Sequence, residues 1–287
     1  MKLSIITINY NNLLGLRKTV ESVFAQTYRD FEYIIIDGAS TDGSREYLNS
    51  IQTDHSQADN RLANLHIVSE PDTGIYNAMN KGIRIATGEY LLMLNSGDFL
   101  VDKYVVERIL PDLDGTDIVQ GNTIEEHHDG EWRNRGYGRS ELTFLDVQRG
   151  HFLHQASFCK RNLFEQYGYF DETYCYVSDT KFFIQCLGYG TATFKYIDLD
   201  IANFDMNGFS CTQNAEIRQK HDAESERLRR EMFPGRLLAY CLESERKVNL
   251  YDRLRHYPCI WKMTMFALRL MNDKPSVVDC RKIETNA

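Results

Sequence analysis

Residues 70–82 read EPDTGIYNAMNKG and residues 91–98 read LLMLNSGD. In the first stretch apolar residues recur at helical spacing from 75 to 86, which predicts a loop followed by a helix with one apolar face. The second stretch predicts a short, buried parallel strand that ends in a polar tetrapeptide. Because ligands bind beyond the carboxyl ends of strands in open α/β sheets, Asp98 is predicted to lie where metal-bound phosphate would be held.

Strand and helix patterns alternate on the N-terminal side of this stretch. Short apolar, β-branched runs predict buried strands at 2–8, 31–36 and 65–69, and helical spacing predicts helices at 13–26 and 44–51. This alternation implies a mostly parallel sheet with right-handed crossovers, and hence an α/β sandwich.

The pattern changes beyond residue 98. The polar segment 121–138 predicts a hairpin that leaves the parallel alternation. The segment 213–232 is charged on nearly every face and predicts a solvated helix or an extension. Further strands are expected at 117–120, 193–199 and 201–204, and further helices at 161–167, 177–187 and 257–271.

Composition excludes several classes of protein. The chain has 287 residues, a formal net charge of −8 and 43% hydrophobic residues, which argues against disorder and against a general nucleic-acid binder. Its seven cysteines form no CxxC pair, as expected for reduced thiols in the cytoplasm. No apolar run approaches the length of about 18 residues that a membrane span needs, and the run at 3–8 is too short for a signal peptide. A cytoplasmic location is therefore predicted.

Two familiar nucleotide-binding motifs are missing from the sequence. The predicted turn at 9–12 has no G-x-G-x-x-G, so a Rossmann-type dinucleotide site is not expected. The chain also has no G-x-x-x-x-G-K-[ST] phosphate loop. A nucleotide, if bound, is held in another way.

Five segments, in this order and at this spacing, resemble the family 2 glycosyltransferases, which use nucleotide-sugars and have the GT-A fold. The resemblance covers about residues 1–210 and is strongest to bacterial enzymes that build cell-surface polysaccharides, where His154, Gln155 and the segment 204–210 also have counterparts. The five segments are SIITINYN at 4–11, DGASTDG at 37–43, DTGIY at 72–76, LNSGD at 94–98 and VSD at 177–179.

The resemblance implies a domain organisation and a reaction. A GT-A catalytic domain at 1–210 would have a nucleotide-sugar-binding half at 1–98 and an acceptor-binding half at 99–210, followed by a helical C-terminal region at 211–287. The implied reaction is inverting transfer of a hexose-type sugar to a glycan or lipid-linked acceptor, with a UDP-sugar as the first choice of donor.

The resemblance also implies contacts to the nucleotide. Asp37 matches the aspartate that accepts a hydrogen bond from the uracil imide, and its alternative role is an Asx-turn that opens the loop after it. Thr7, Asn9 and Tyr10 match the end of the first strand, which contacts base and ribose; packing is the alternative for Tyr10. Asp72 matches a carboxylate near the nucleotide, with a helix cap as its alternative and Gly74 beside it to permit close approach of a ligand.

Residues 95–98 occupy the place of the D-x-D motif of the family, in which carboxylates hold Mg²⁺ or Mn²⁺ against the diphosphate. Here Asn95 and Gly97 replace acids, so the resemblance leaves Asp98 as the sole carboxylate ligand, with Asn95 and Ser96 on the nucleotide-sugar. A plain turn is the alternative for this tetrapeptide.

Asp179 matches the catalytic base of inverting members, which removes the proton of the acceptor hydroxyl. Its alternative role is the N-cap of a helix that starts at Thr180. His154, Gln155 and Asp205 are expected on the acceptor or diphosphate side, although a lone histidine is more often a structural residue.

The segment 252–271 carries four bases and one acid among apolar residues. It predicts either an interfacial helix at the inner face of the cytoplasmic membrane or a helix that packs on the catalytic domain. Two rival functions stay open: a catalytically silent protein that binds sugar nucleotides or assists assembly, and a sugar nucleotidyltransferase. The second would need a G-G-x-G-T-x-L loop after the first strand, and residues 9–13 do not supply it.

Overall fold

The computed structural model describes residues 1–57, 64–127, 130–205 and 215–233, together with positions 235, 239, 240, 242–244, 246 and 263. The chain divides into two compact units, Met1–Pro234 and Gly235–Ala287. In the second unit, the described positions 239, 240, 242–244, 246 and 263 are helical. The predicted tail segment 252–271 lies outside the described residues except for Met263.

Nine strands of the first unit form one sheet, in the order β3-β2-β1-β4-β8-β6-β9-β5, with β7 paired to β6. The strands are β1 (Leu3–Asn9), β2 (Glu32–Asp37), β3 (Leu65–Ser69), β4 (Tyr90–Met93), β5 (Phe99–Leu100), β6 (Ile118–His127), β7 (Gly130–Asn134), β8 (Ser157–Lys160) and β9 (Phe194–Phe204).

Helices connect and flank these strands. The α-helices are α1 (Leu13–Phe24), α2 (Ser44–Gln57), α3 (Ile75–Ile85), α4 (Val105–Ile109), α5 (Phe144–Arg149), α6 (Asn162–Tyr167), α7 (Ser178–Phe183) and α8 (Ala215–Met232). A 3₁₀ turn at His154–Ala156 precedes β8, and a π-helical turn at Ile184–Tyr189 follows α7.

The strands β3, β2, β1 and β4 are parallel neighbours. All residues of β1, β2 and β4 are buried, as the continuous apolar runs predict for strands that are covered on both faces. The helix α3 presents Met79 and Ile83 to the core, as its spacing predicts. The predicted α/β class, a mostly parallel central sheet with flanking helices, is confirmed.

Beyond β4 the sheet becomes mixed. The strand β8 pairs antiparallel with β4 and with β6, and the predicted hairpin is present as β6 and β7. The two strands expected at 193–199 and 201–204 are wrong, because β9 runs without a break. Asp200 stays in the ladder opposite Asn122, whose side-chain amide donates to its carboxylate over 3.0 Å.

The charged helix α8 packs against the rest of the first unit. Leu228 is buried, and the Glu224 carboxylate accepts hydrogen bonds from the backbone N–H groups of Cys175 and Tyr176. The first compact unit therefore includes this helix, whereas the sequence analysis assigned it to the C-terminal region. In the described part of the chain, no helix has the length and apolar character needed to cross a membrane.

Candidate active site

The carboxyl ends of β1, β2 and β4 meet at one edge of the sheet, because parallel strands end on the same side. Asn9 ends β1, Asp37 ends β2, and the tetrapeptide that contains Ser96 follows β4. The Asn12 side-chain amide donates to the Ser96 carbonyl oxygen over 3.1 Å, and the Ser96 hydroxyl donates to the Asn12 carbonyl oxygen over 3.2 Å. The sheet therefore gathers the predicted nucleotide-side residues.

Asp37 lies fully inside this edge, with 0% exposure. Its Oδ1 accepts hydrogen bonds from Asn9 Nδ2 at 2.9 Å and from the Ser40 hydroxyl at 2.6 Å. Its Oδ2 accepts from the Ser40 backbone N–H at 3.1 Å and from the Ser69 hydroxyl at 2.7 Å. These four donors match the roughly four acceptor sites of a carboxylate, so the geometry favours the alternative in which Asp37 organises the loop after β2.

Thr7, inside β1, and Tyr10, just after it, differ in accessibility. Thr7 is buried and its hydroxyl lies 3.1 Å from the Tyr33 hydroxyl, so it stabilises the strand from within. Tyr10 is 68% exposed, and its ring is available for stacking on a flat ligand.

Asp72 lies beside Tyr10. A Cβ atom placed on Gly38 would come within 2.4 Å of Asp72 Oδ2 and 3.1 Å of Tyr10 Cδ2. The absence of a side chain at Gly38 therefore makes room for the Asp72 carboxylate. The N-cap of α3 is Gly74, at a φ of 138°, and Asp72 Oδ1 accepts a hydrogen bond from its N–H over 3.0 Å.

Asp98 is a buried carboxylate with 4% exposure. Its Oδ1 accepts a hydrogen bond from the Asp205 backbone N–H over 2.9 Å. A Cβ atom on Gly97, whose φ is 110°, would come within 2.6 Å of Asp205 Oδ2. Burial, with a contribution from the negative charge of Asp205, raises the pKa of Asp98 to about 6. The hydrogen bond from the Asp205 backbone N–H and the positive charge of His154 lower this pKa but do not outweigh burial.

This pair of acids fits a divalent cation in its chemistry. Asp98 and Asp205 supply hard oxygen ligands, and a cation would offset the cost of burying one carboxylate near another. Among the residues that the structure describes, no group of three or more His, Cys, Asp or Glu side chains is arranged for a metal ion. A metal held here would therefore take the rest of its ligands from the diphosphate and water. Sequence reasoning assigned Asp205 to the acceptor or diphosphate side and did not bring it next to Asp98.

Asp179 lies in the first turn of α7. This helix begins at Ser178 with Val177 as its N-cap, so the alternative of Asp179 as the N-cap of a helix that starts at Thr180 is wrong. The carboxylate is instead held by side chains from two other elements. His154 Nδ1 lies 3.0 Å from Asp179 Oδ2, and the Tyr76 hydroxyl lies 3.1 Å from Asp179 Oδ1.

The pKa values describe an ion pair between Asp179 and His154. Burial opposes the charge on both groups, but the hydrogen bond and the attraction between them outweigh it. The pKa of Asp179 is lowered from its ordinary 3.8, and the pKa of His154 is raised from its ordinary 6.5. Asp179 is therefore ionised near neutral pH.

Asn95 continues this chain of contacts toward the metal side. Its Nδ2 lies 3.3 Å from His154 Nε2, and its buried Oδ1 has no hydrogen-bond partner among the described residues. With the amide turned so that Oδ1 faces Nε2, a protonated His154 donates to Asn95 and Asp179 at once. Gln155, the neighbour of His154, is buried.

Tyr76 is the residue of this cluster to which sequence reasoning gave no role. It belongs to the DTGIY segment, but its partner Asp179 is 103 residues away. The signal in the sequence is its position in the first turn of an amphipathic helix that opens from the candidate site.

The model of the family described as "Glycosyl transferase family 2" matches residues 4–170. A PGL/p-HBAD biosynthesis glycosyltransferase of Mycobacterium bovis is 30% identical over 208 residues, which cover 71% of this chain and 77% of that protein. An uncharacterized glycosyltransferase of Mycobacterium tuberculosis is 30% identical over 270 residues, which cover 87% of this chain and 92% of that protein.

Solved structures share the fold. The structure of S. aureus TarS 1–349 in complex with UDP-GlcNAc superposes with a TM-score of 0.64 at 17% identity, over 81% of this chain and 65% of that chain. The mannosyltransferase PcManGT from Pyrobaculum calidifontis, in complex with GDP-Man and Mn2+, gives a TM-score of 0.56 at 16% identity, over 95% of this chain and 88% of that chain. With the α/β architecture and the matched family model, these findings establish that the chain belongs to glycosyl transferase family 2 and is a glycosyltransferase.

Proposed function

We propose that this enzyme transfers a sugar, with inversion at the anomeric carbon, from a UDP-sugar to a glycan or lipid-linked acceptor with the help of Mg²⁺ or Mn²⁺. The observation that carries the proposal is the path of contacts from Asp179 through His154 to Asn95, three residues before Asp98. It gives one site an ionised base at one end and a buried acid for a cation at the other.

The nucleotide is assigned to the edge formed by β1 and β2. The exposed ring of Tyr10 provides a stacking surface for the base, and the Asp72 carboxylate beside Gly38 provides an acceptor for the imide N–H of uracil. Asp37 and Asn9 support this edge from within through their hydrogen bonds with each other and with Ser40, and Thr7 does so through its contact with Tyr33. The complex of TarS with UDP-GlcNAc, a protein of the same fold, supports the choice of a UDP-sugar.

The cation is assigned to Asp98 and Asp205, with Ser96 and Asn95 close to the diphosphate. A divalent cation there would offset negative charge that develops on the departing nucleoside diphosphate. The hydrogen bond from the Asp205 backbone N–H fixes Asp98 Oδ1. Among the contacts of the described residues none reaches the second oxygen of Asp98, which we assign to the cation. The complex of PcManGT with GDP-Man and Mn2+ supports a metal-assisted reaction.

Asp179 is assigned the proton transfer. The acceptor hydroxyl gives its proton to the Asp179 carboxylate while its oxygen forms the new bond to the anomeric carbon. The bond from that carbon to the diphosphate breaks on the opposite face, and its electron pair goes to the diphosphate oxygen. His154 and Tyr76 hold the carboxylate ionised and oriented throughout.

The acceptor, the location and the domain bounds complete the proposal. The similarity to a PGL/p-HBAD biosynthesis glycosyltransferase favours an acceptor from the glycan or lipid-linked class. We assign the enzyme to the cytoplasm. The catalytic domain is assigned to 1–210, with the nucleotide-sugar at 1–98 and the acceptor at 99–210. Of the helical region at 211–287, the helix α8 lies in the first compact unit with this domain.

The test measures nucleoside diphosphate release by the full chain from UDP-glucose, UDP-galactose, UDP-N-acetylglucosamine and GDP-mannose, with Mn²⁺, with Mg²⁺ and with chelator. We expect release from a UDP-sugar, its loss on chelation, and a fall of at least about a hundredfold in Asp98→Ala and in Asp179→Asn. Full activity in both variants would contradict the proposed mechanism. UDP binding in a calorimeter without turnover of any donor would favour the catalytically silent alternative.

A further inference from the structure

Tyr76 contacts Asp179, the predicted catalytic base, from a buried position. It is 4% exposed, and its hydroxyl lies 3.1 Å from Asp179 Oδ1. Its ring packs against Phe170 with the ring centroids 5.5 Å apart. The position of this hydroxyl is therefore set by the helix α3 and by the segment before α7.

Side-chain amides of α3 fix that helix to the same segment. Asn80 exchanges hydrogen bonds with the backbone of Phe170 over 2.9 Å and 3.0 Å. Asn80 and Asn77 each donate to the Glu172 carboxylate over 2.8 Å. The two bonds between Asn80 and the Phe170 backbone are buried, and they resist sliding because each displaced donor or acceptor would lose its partner. The hydroxyl of Tyr76 is thus a fixed donor and not an adaptable one.

The two oxygens of Asp179 are used unequally. Oδ1 accepts from the Tyr76 hydroxyl and from the Thr180 backbone N–H, over 3.1 Å and 2.8 Å. Oδ2 accepts from His154 Nδ1 over 3.0 Å. A carboxylate oxygen offers about two acceptor sites. Among the contacts of the described residues, Oδ1 is filled and Oδ2 keeps one site open.

We propose that Tyr76 is a positioning residue that occupies Oδ1 of Asp179 and so makes Oδ2 the atom that takes the acceptor proton. The inference rests on the proposed function, since it needs Asp179 as the base. The acceptor O–H bond breaks, its proton goes to Oδ2, and its electron pair forms the bond to the anomeric carbon. The carbon–diphosphate bond breaks, and its electrons stay on the departing diphosphate.

The charges around Asp179 allow a pH signature. His154 faces it from the 3₁₀ turn and Tyr76 from α3, and the negative charge of Asp98 also acts on His154. Lys181, on the same helix, turns to Asp171 and Glu231. Burial and the charge of Asp179 raise the pKa of Tyr76 well above 10, so Tyr76 remains a donor across the working range.

The experiment compares Tyr76→Phe with wild type in UDP release, with water as acceptor and the best UDP-sugar of the donor panel. We expect kcat to fall about tenfold, the value of a hydrogen bond to a charged group, with the KM for the donor unchanged. A hydrogen bond donated to the charged form of a carboxyl group lowers its pKa. Removal of the Tyr76 hydroxyl therefore raises the pKa of Asp179 and moves the acid limb of the pH–rate profile to higher pH.

The matched control is Tyr90→Phe. Tyr90 is also buried, and its hydroxyl donates to the Thr116 carbonyl over 2.7 Å at the opposite end of β4. It should cost similar stability and leave the rate profile unmoved. A double variant of Tyr76→Phe with Asp179→Asn should be no slower than Asp179→Asn alone, because Tyr76 acts through that carboxylate.

The outcomes separate the two proposals. An inactive Asp179→Asn together with an unchanged rate and acid limb in Tyr76→Phe overturns the role of Tyr76 alone. Full activity in Asp179→Asn, or no turnover by wild type, overturns the proposed function and this inference with it. If Tyr76→Phe does not fold, Phe170→Leu loosens the same ring and carries the test: an unmoved acid limb then overturns the inference.

Discussion

Asp37 at the end of β2 and Asp179 in the first turn of α7 are both carboxylates at the ends of elements, yet their surroundings differ. Asp37 has no exposure and accepts hydrogen bonds from four donors. Asp179 accepts from three, and one site on Oδ2 stays open among the contacts of the described residues. A filled carboxylate acts as scaffold, whereas one with an open acceptor site has a lone pair for chemistry. The same residue type therefore serves stability in one region and, in the proposed mechanism, the reaction in the other.

The strongest way to break this comparison is the same substitution in both regions. Asp37→Asn replaces one carboxylate oxygen with an NH₂ group. In either orientation of the amide this group faces donors, either those of Ser40 and Ser69 or that of Asn9. We therefore expect the free energy of unfolding to fall by about 3 kcal/mol. Asp179→Asn should cost less stability and nearly all activity. Urea unfolding and UDP release on both variants check this. Equal losses of stability would show that the two carboxylates do not differ in kind.

Substitution of His154 tests the carboxylate of Asp179, which keeps an open acceptor site among the contacts of the described residues. His154→Gln takes away the charge that holds down the pKa of Asp179, so UDP release should fall about tenfold and the acid limb should move to higher pH. The pH–rate profile measures both effects. An acid limb that does not move would mean that His154 does not govern this base.

The same pair predicts a pH dependence of stability. The pKa of His154 is raised above its ordinary 6.5, so its stabilising contribution is fully present below pH 6.5 and is lost as pH rises through the raised value. The pKa of Asp179 is lowered from 3.8, so its contribution is present above pH 3.8 and is lost as pH falls through the lowered value. Wild type should exceed His154→Gln in unfolding free energy by more at about pH 5 than at about pH 9.

Gly38→Ala sharpens the comparison on the nucleotide side. Its Cβ would approach Asp72 Oδ2 to 2.4 Å, and the end of that side chain can move away at little cost in stability. If Asp72, and not the filled Asp37, binds the base, UDP affinity should fall about fivefold, the value of one modest hydrogen bond. Calorimetry with UDP measures this, with Asp72→Asn as the parallel variant. Unchanged affinity in both would remove Asp72 from the nucleotide site.

Ser69→Ala is the smallest test. It removes one of the four donors to Asp37 and should lower the unfolding free energy by at most about 1 kcal/mol, with UDP release unchanged. It is the counterpart of Tyr76→Phe, which also removes a single hydroxyl donor from a carboxylate. A shift in the rate profile of Ser69→Ala would contradict the assignment of Asp37 to the scaffold.

Much of the parallel half of the fold was predictable from local pattern. Buried parallel strands have continuous apolar runs, and α3 has a clear apolar stripe, so β1, β2, β3, β4 and α3 follow from spacing. The mixed half was less accessible. Asp200 looked like a break between two strands, because the amide of Asn122 that keeps it in the ladder lies 78 residues away.

The sequence by itself determined the α/β alternation, the order of the five motif segments and the residue types that a glycosyltransferase site requires. These depend on local periodicity and on residue identity, which are written along the chain. Only the tertiary structure decided which carboxylates are filled and which are open. That distinction depends on donors from distant segments, such as Tyr76 for Asp179 at 103 residues and the Asp205 backbone for Asp98 at 107 residues. Neighbours in space decide whether a carboxylate lone pair accepts a hydrogen bond, and the spacing of residues along the chain does not predict those neighbours.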